Sequence, residues 1–464
     1  MGKQLNDTDP YIKEARNTKE NGFYMFVTQE RFLSTHSEFI IRNKDVDSIW
    51  WKKVITIQQF GVFFGSLIFG WVSDHIGRKT VCQYSLLFSS IILLIEGFLT
   101  NTIAITVCRF VIGTQAGAMI IVAWSHTTEL ISPKTRFLAR AFSNWPNAKV
   151  VLVAVCSFSQ NWRISLHVSS ALTLVASGLY FFGMPESPTW LHCHGQREKA
   201  QQVSGRVFEK SGGLCIIDLP TGIKNKSLTF SQIWKKEKYR NVIILFGAIW
   251  IMTNFTNTML DFSEVNILNG LLTSQLLLAV VPSVLKMLLG TTEIYLGIIN
   301  RRNLHLVSLF INGVSMLICG IFLTTHLEKK FKIFYVIIYL IGYSSMEFVW
   351  DACFLCVVEQ VPTEVRGTVC GTCSFLSRIA GVAATNMVHV KKLWAAAPLY
   401  TAASTALLHF TLAYFFMDDS KDANLGEVGF DLRRLSRKVS QKINQQLNRF
   451  RRESKTPDST NEKF

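Results

Sequence analysis

The chain has 464 residues, of which 49% are hydrophobic and only 17% charged, whereas an ordinary soluble domain carries about a quarter charged residues. Its 48 Lys and Arg against 32 Asp and Glu give a net charge of +16, yet no basic-aromatic interleaving of an RNA-binding kind accompanies that excess, so a soluble enzyme and a nucleic-acid binder are both disfavoured. Ten cysteines, none before Cys82, lie mostly within or beside apolar runs, which rules out a secreted disulfide scaffold.

Residues 1–53 hold no span, because their most apolar stretch, 22–41, is interrupted by Glu30, Arg31, His36 and Glu38, and no signal-peptide pattern is present. Apolar runs follow at 54–73, 81–99, 103–125, 141–160, 164–184, 241–260, 267–289, 304–325, 333–357, 368–389 and 398–417. Each is long enough to cross about 30 Å of hydrocarbon as a helix, so the chain is expected to be an all-α membrane protein with about 11 spans. The run 368–389 is rich in Gly, Ser and Thr and carries Arg378; small residues suit a packed helix interface.

The polar segment 192–240 has ten Lys and Arg against four Asp and Glu, and the tail 418–464 has eleven Lys and Arg. Both are expected to be cytoplasmic, on the same side as the basic turns at 75–79 and 134–136, while Lys329, Lys330, Lys332, Lys391 and Lys392 fall outside. The expected organisation is a polar extracellular segment 1–53, a helix bundle 54–191, a cytoplasmic loop 192–240, a second bundle 241–417 and a basic cytoplasmic tail 418–464. An extracellular N-terminus makes Asn6-Asp7-Thr8 a candidate glycosylation site. In the tail, Leu432, Leu435, Val439, Ile443, Leu447 and Phe450 recur at helical spacing amid Arg433, Arg434, Arg437, Lys438 and Lys442. That pattern predicts a basic amphipathic helix on anionic inner-leaflet lipid, with calmodulin-like partner binding as its rival.

One pattern recurs 230 residues apart: Glu129 with Arg136, then Glu359 with Arg366, with a proline between in each copy, Pro133 and Pro362. Each copy closes one apolar run and opens the next, with the proline where a helix stops. A weaker echo pairs Gly77-Arg78-Lys79 with Asn300-Arg301-Arg302. Two parallel halves related by an axis along the membrane normal, with a substrate site between them near the midplane, are a known transporter design. No Walker loop, no G-x-G-x-x-G after a strand, no H-E-x-x-H and no nucleophile elbow is present, so no catalytic apparatus and no cofactor is expected. The pairs Cys353, Cys356 and Cys370, Cys373 approach a zinc-ribbon spacing, but each lies at the end of an apolar run, and no metal site is expected.

These residues resemble the major facilitator superfamily. Gly70-Trp71-Val72-Ser73-Asp74-His75-Ile76-Gly77-Arg78-Lys79 is similar to its G-x-x-x-D-R-x-G-R-[RK] loop, with His75 in place of arginine. Arg109, Gly113 and Gly117 resemble the motif that opens the family's fourth helix. Pro185-Glu186-Ser187-Pro188-Thr189-Trp190-Leu191 is close to the P-E-S-P-R-W-L of sugar and organic ion transporters, with Thr189 in place of arginine. Pro362 to Gly371 and Ser377-Arg378-Ile379-Ala380-Gly381-Val382 look like the organic cation, anion and carnitine branch, the solute carrier family 22. Sugar porters have a glutamine-rich seventh helix, where this chain has Asn254 and Asn257.

The resemblance implies two pseudo-symmetric bundles and a transmembrane transporter of small organic ions working by alternating access, multi-pass in the plasma membrane. Set on the family's twelve helices, the eleven runs are the second to the twelfth, and residues 1–53 would be a remnant of the first extracellular loop. A gap in the cavity wall would then be filled by lipid or a neighbouring protein. A receptor or scaffold with a degenerate transporter fold, or a carrier of sugars or organic cations, remains the alternative.

Ionisable side chains at membrane depth are functional candidates. Arg378 stands first: in the resembling family this position tends to be basic in anion carriers and acidic in cation carriers, so it favours an organic anion, and a guanidinium grips a carboxylate or sulfate by two parallel hydrogen bonds. Its other reading is an arginine that snorkels or pairs within the protein. Lys286 could add a second positive charge; Glu347 and Asp351, one turn apart on one helix face, could bind a proton or cation or neutralise Arg378 and Lys286. Gln115, Trp124 and Asn254 offer hydrogen bonds or stacking, or simply packing. Asp74, Arg78, Glu129, Arg136, Glu186, Arg301, Glu359 and Arg366 resemble the family's intracellular salt-bridge network, a conformational gate. As exposed pairs at helix ends they would each contribute about 0–1 kcal/mol, enough together to bias a two-state equilibrium without locking it.

Overall fold

The computed structural model describes residues 48–131, 135–158, 162–210, 230–235, 237–263, 271–296, 300–385 and 387–417. The expectations for 1–47 with its sequon, for Pro133 and Lys134, for 211–229 of the loop and for the tail helix lie outside these residues.

The described secondary structure is helical throughout. In chain order it comprises α1 (Ser48–Ile76), α2 (Arg78–Phe98), α3 (Thr102–Leu130), α4 (Arg136–Phe142), α5 (Trp145–Phe158), α6 (Trp162–Gly183), α7 (Pro188–Cys193) and α8 (Arg197–Lys210). After these come α9 (Phe230–Lys235), α10 (Glu237–Ser263), α11 (Leu271–Leu296), α12 (Arg301–Thr324), α13 (Lys332–Gln360), α14 (Arg366–Thr385), α15 (Met387–Leu393) and α16 (Ala397–Phe416). Among the described residues eight helices, α2, α3, α6, α10, α11, α12, α13 and α16, combine the length and hydropathy needed to cross a membrane. The described residues of the other three expected spans are also largely helical: 54–73 lies within α1, 141–158 is divided between α4 and α5, and 368–385 lies in α14 with 387–389 in α15.

Local chemistry accounts for several of the boundaries. The Asn101 side chain accepts a hydrogen bond from the Ile103 N–H at 2.9 Å and so caps α3. Asn144 takes the same role for α5, accepting from the Asn147 N–H at 2.9 Å across the break that separates it from α4. Ser187 caps α7 ahead of Pro188, accepting from the Trp190 N–H at 3.1 Å. Met119–Ala123 forms a π-helical turn within α3, a local irregularity that tends to mark functional positions.

The helices gather into two bundles. In the first, α1 packs on α3, α2 on α3 and α6, and α5 on α6; in the second, α10 packs on α14, α16 and α13, and α12 on α13 and α16. Two seams join them, α1 against α14 and α4 with α5 against α11, and α4 also touches α13. Glycine sets the closeness of α1 to both of its partners. A Cβ on Gly65 would lie 2.2 Å from the Thr114 carbonyl of α3, and one on Gly371 would lie 2.4 Å from the Ser66 carbonyl across the inter-bundle seam. Backbones meet there with no side chain between them.

Gly371→Ala is therefore expected to force α1 and α14 apart, costing about 1–3 kcal/mol as overpacking does. A methyl group added at Gly178 of α6 would meet nothing within 4 Å, so Gly178→Ala is the matched control. Apparent melting temperature in detergent checks this: a fall confined to Gly371→Ala is expected, and equal values for the two variants would overturn the packing argument.

Candidate functional site

At one end of the molecule the two sequence repeats meet. The Asp74 side chain, at the end of α1, crosses the seam and accepts from the Gly367 N–H at 3.0 Å, the Thr368 N–H at 2.7 Å and the Thr368 hydroxyl at 2.6 Å. A carboxylate from one bundle thus caps the first turn of α14 in the other, where the helix dipole and the unbonded N–H groups favour negative charge. Arg78 stands beside it, 2.9 Å from Asp74 and 3.5 Å from Glu129, and donates to the carbonyls of Ser73 and Thr363, both at 2.7 Å.

Glu129 is shared between bundles, because Oε1 takes the Arg366 guanidinium at 2.5 Å while Ser187 donates to Oε2 at 2.5 Å. The other cross pair, Arg136 with Glu359, stands at 3.6 Å, an ion pair beyond hydrogen-bonding distance. Glu186 caps α2, accepting from the N–H groups of Arg78 at 3.0 Å and Lys79 at 3.1 Å. Gly77 joins α1 to α2 at φ 115°, and a Cβ there would strike Glu186 Oε2 at 2.5 Å, so this turn favours glycine strongly. Arg301 lies over the Phe137 ring, its guanidinium carbon 5.4 Å from the centroid.

The structure corrects the expectation that the gate consists of exposed pairs at helix ends. Arg78 and Arg366 are 0% exposed, Glu129 and Glu359 1%, and Asp74 and Arg136 3%. The cover is physical: the turn carrying α7 folds over the cluster, with Trp190 Nε1 donating to the Asp74 carbonyl at 3.0 Å, and residues 363–365 close the other side. Buried pairs obey different arithmetic, since removing one partner strands the other charge at a cost of about 3–5 kcal/mol.

Deeper along the seams lies a second set. On α13, Glu347, Trp350, Asp351 and Phe354 fall at i, i+3, i+4 and i+7, which makes one face. Lys286 of α11 reaches both acids, 3.1 Å from Glu347 and 2.9 Å from Asp351. Asp351 also takes Arg140 of α4 at 2.7 Å, and the Arg140 guanidinium lies 4.5 Å from the centroids of both Trp124 and Phe354. Ser283 and Asn147 hydrogen bond across the same seam. Lys286, Glu347, Asp351 and Trp124 are thus brought together, with the acids neutralising Lys286 and not Arg378. Sequence reasoning misses Arg140; its signal is a second arginine one turn inside Arg136, hidden by the basic turn beside it.

Arg378 belongs to the other seam. Gly70 opposes Gly367, Ser66 opposes Gly371, and the rings of Phe63 and Phe375 meet at 3.8 Å. These antiparallel pairs keep one register, and carrying it a turn further sets Arg378 opposite Gln59 and Phe60. Arg378 also follows Gly371 by seven residues, hence sits on the same helix face, about 18 Å along α14 from Arg366 at 1.5 Å per residue. Among the described residues it has no ion pair, and its buried Nε and the Oε1 of Gln59 have no hydrogen-bond partner. Asn254 is engaged one residue away, donating to the Ser377 carbonyl at 2.8 Å. Gln115, 8% exposed, stands 3.5 Å from the Thr114 hydroxyl. No hydrogen bond or ion pair among the described residues joins Arg378, Asn254 or Gln115 to the Lys286 group.

Comparisons with known proteins agree with this architecture. The family model "Sugar (and other) transporter" matches residues 14–430, reaching well ahead of α1. An uncharacterised protein of Caenorhabditis elegans is 26% identical over 82% of this chain and 77% of its own length. Solute carrier family 22 member 16 of Bos taurus is 22% identical over 77% of this chain. The chain spans 63% of that protein's length. The organic cation transporter protein of Drosophila melanogaster is 24% identical over 75% of this chain and 65% of its own length. Among solved structures, the proton:xylose symporter XylE bound to 6-bromo-6-deoxy-D-glucose aligns with a TM-score of 0.67 at 14% identity, covering 90% of this chain and 98% of the other. With two helical bundles, repeated charge motifs at one end and a family match over most of its length, this chain is a multi-pass membrane protein of the major facilitator superfamily and belongs to its sugar (and other) transporter family.

Proposed function

We propose that the protein carries small organic anions across the plasma membrane by alternating access between bundles 54–191 and 241–417, with the buried cluster of Asp74, Arg78, Glu129, Arg136, Glu359 and Arg366 as a latch facing the cytoplasm. The sign of the substrate is read from Arg378, set against the ion pairs found along the seams. Lys286 and Arg140 are matched by Glu347 and Asp351, and the latch pairs Arg78, Arg136 and Arg366 with Asp74, Glu129 and Glu359. Arg378 adds one guanidinium with no ion pair among the described residues, at mid-depth, on the α14 face turned to the other bundle. A carboxylate or sulfate would complete it. Relatives named as solute carrier family 22 and organic cation transporter proteins support the organic-ion class; the sign rests on Arg378. The loop 192–240 and the basic tail follow on the cytoplasmic side, the tail against anionic lipid.

Two outcomes are expected. In proteoliposomes, uptake of a labelled organic anion such as para-aminohippurate should fall about 10- to 100-fold in Arg378→Ala, the loss of a charge-assisted hydrogen bond of about 1.5–3 kcal/mol, with Arg378→Lys intermediate. Wild-type uptake of sugars or cations but not anions would overturn the reading. Arg136→Ala and Glu359→Ala should open the latch, so that a cysteine placed at Gln115 reacts faster with a membrane-impermeant reagent applied from the cytoplasmic face; unchanged rates would remove the gating role.

A further inference from the structure

Arg140 is held in an unusual way for a side chain at an interface between two halves. Its Nε hydrogen bonds Asp351 at 2.7 Å, and its guanidinium carbon is 4.5 Å from two ring centroids, Trp124 of its own bundle and Phe354 of the other. Aromatic faces and a carboxylate around a delocalised cation are the chemistry that recognises guanidinium and quaternary ammonium ligands. The Trp124 indole presents its face to Arg140, and its N–H is buried with no acceptor among the described residues. The Arg140 side chain is 15% exposed, so protein does not wholly enclose its position.

The charges make the role of Arg140 specific. With it, the group holds two positive charges, Arg140 and Lys286, against two negative, Glu347 and Asp351. Without it, one positive charge faces two negative beside two aromatic faces. We propose that Trp124, Phe354 and Asp351 form a receptor for an organic cation, that Arg140 is its tethered occupant, and that Arg140 thereby determines specificity by barring external cations. The inference goes beyond the anion reading and stands on Trp124, Phe354 and Asp351 around Arg140. A merely structural pin would bridge the bundles equally well, but its removal would not create affinity for a cation.

The test uses the full-length protein in detergent with tetraethylammonium and methylguanidinium as probes. Arg140→Met should bind tetraethylammonium about tenfold or more tighter than wild type, with a change in tryptophan fluorescence. Arg140→Lys should stay as closed to the probe as wild type, and Asp351→Asn added to Arg140→Met should abolish the gain. If Arg140→Met folds poorly, methylguanidinium should raise its apparent melting temperature above that in equal sodium chloride and leave wild type unmoved, because a ligand of the native state stabilises it. Unchanged tetraethylammonium affinity together with no stabilisation by methylguanidinium overturns the inference, as does a gain that survives Asp351→Asn. These readouts need no flux. Anion uptake that depends on Arg378 without any cation gain sinks this inference alone, whereas cation gain in a protein that moves no anion sinks the anion reading alone.

Discussion

A carboxylate that leaves its own bundle to cap a helix of the other is the interaction on which the closed end depends. Asp74 can accept from the N–H groups of residues 367 and 368 only because α1 and α14 touch backbone to backbone. Gly367 serves twice, as the donor and as the residue whose missing side chain lets the donor come near: a Cβ there would lie 2.8 Å from Asp74 Oδ1. Around that contact the arginines of both repeats are dry, and dry charge is tolerable only when matched and hydrogen bonded. Parting the bundles at this end would admit water to several ions at once.

The two seams are built from different chemistry. Between α1 and α14 the contact is glycine on backbone, then ring on ring at Phe63 and Phe375, then Arg378. Between α4, α5 and α11 it is polar, with Ser283 on Asn147 and with Lys286 and Arg140 meeting the acids of α13. One seam packs on small residues; the other holds the ion pairs of Lys286 and Arg140 with Glu347 and Asp351. Pseudo-symmetry in the fold thus coexists with seams of unlike chemistry.

Much of this is legible in the residues. The eleven apolar runs coincide with helices because length and hydropathy are properties of a single segment, and the Glu129–Arg136 and Glu359–Arg366 repeat points to the latch because both copies close one helix and open another. Burial of the latch is not legible: it depends on the turn at α7 folding back over α1, a contact between residues more than a hundred positions apart, as Trp190 on Asp74 shows. The partner of Lys286 is half legible. Glu347 and Asp351 announce a common face by their spacing, but which cation they meet is decided by how α4 and α11 approach α13, and Arg140 carries no local sign of it. Asn254 reads like a free hydrogen-bond donor until the Ser377 carbonyl is found beside it.

The π-helical turn at Met119–Ala123 has a consequence for everything beyond it in α3. A single additional residue wound into one turn rotates the remainder of the helix by about 100°, one residue's share of an α-helical circuit. Trp124, which lies against Arg140, and Glu129, which holds Arg78 and Arg366, both lie after that turn. In an unbroken α-helix the same two side chains would point a quarter-circle away, and neither would address its present neighbour. A local winding defect thus sets the azimuth of the aromatic wall and of the shared carboxylate together, so relaxing it would turn both through the same angle in one movement.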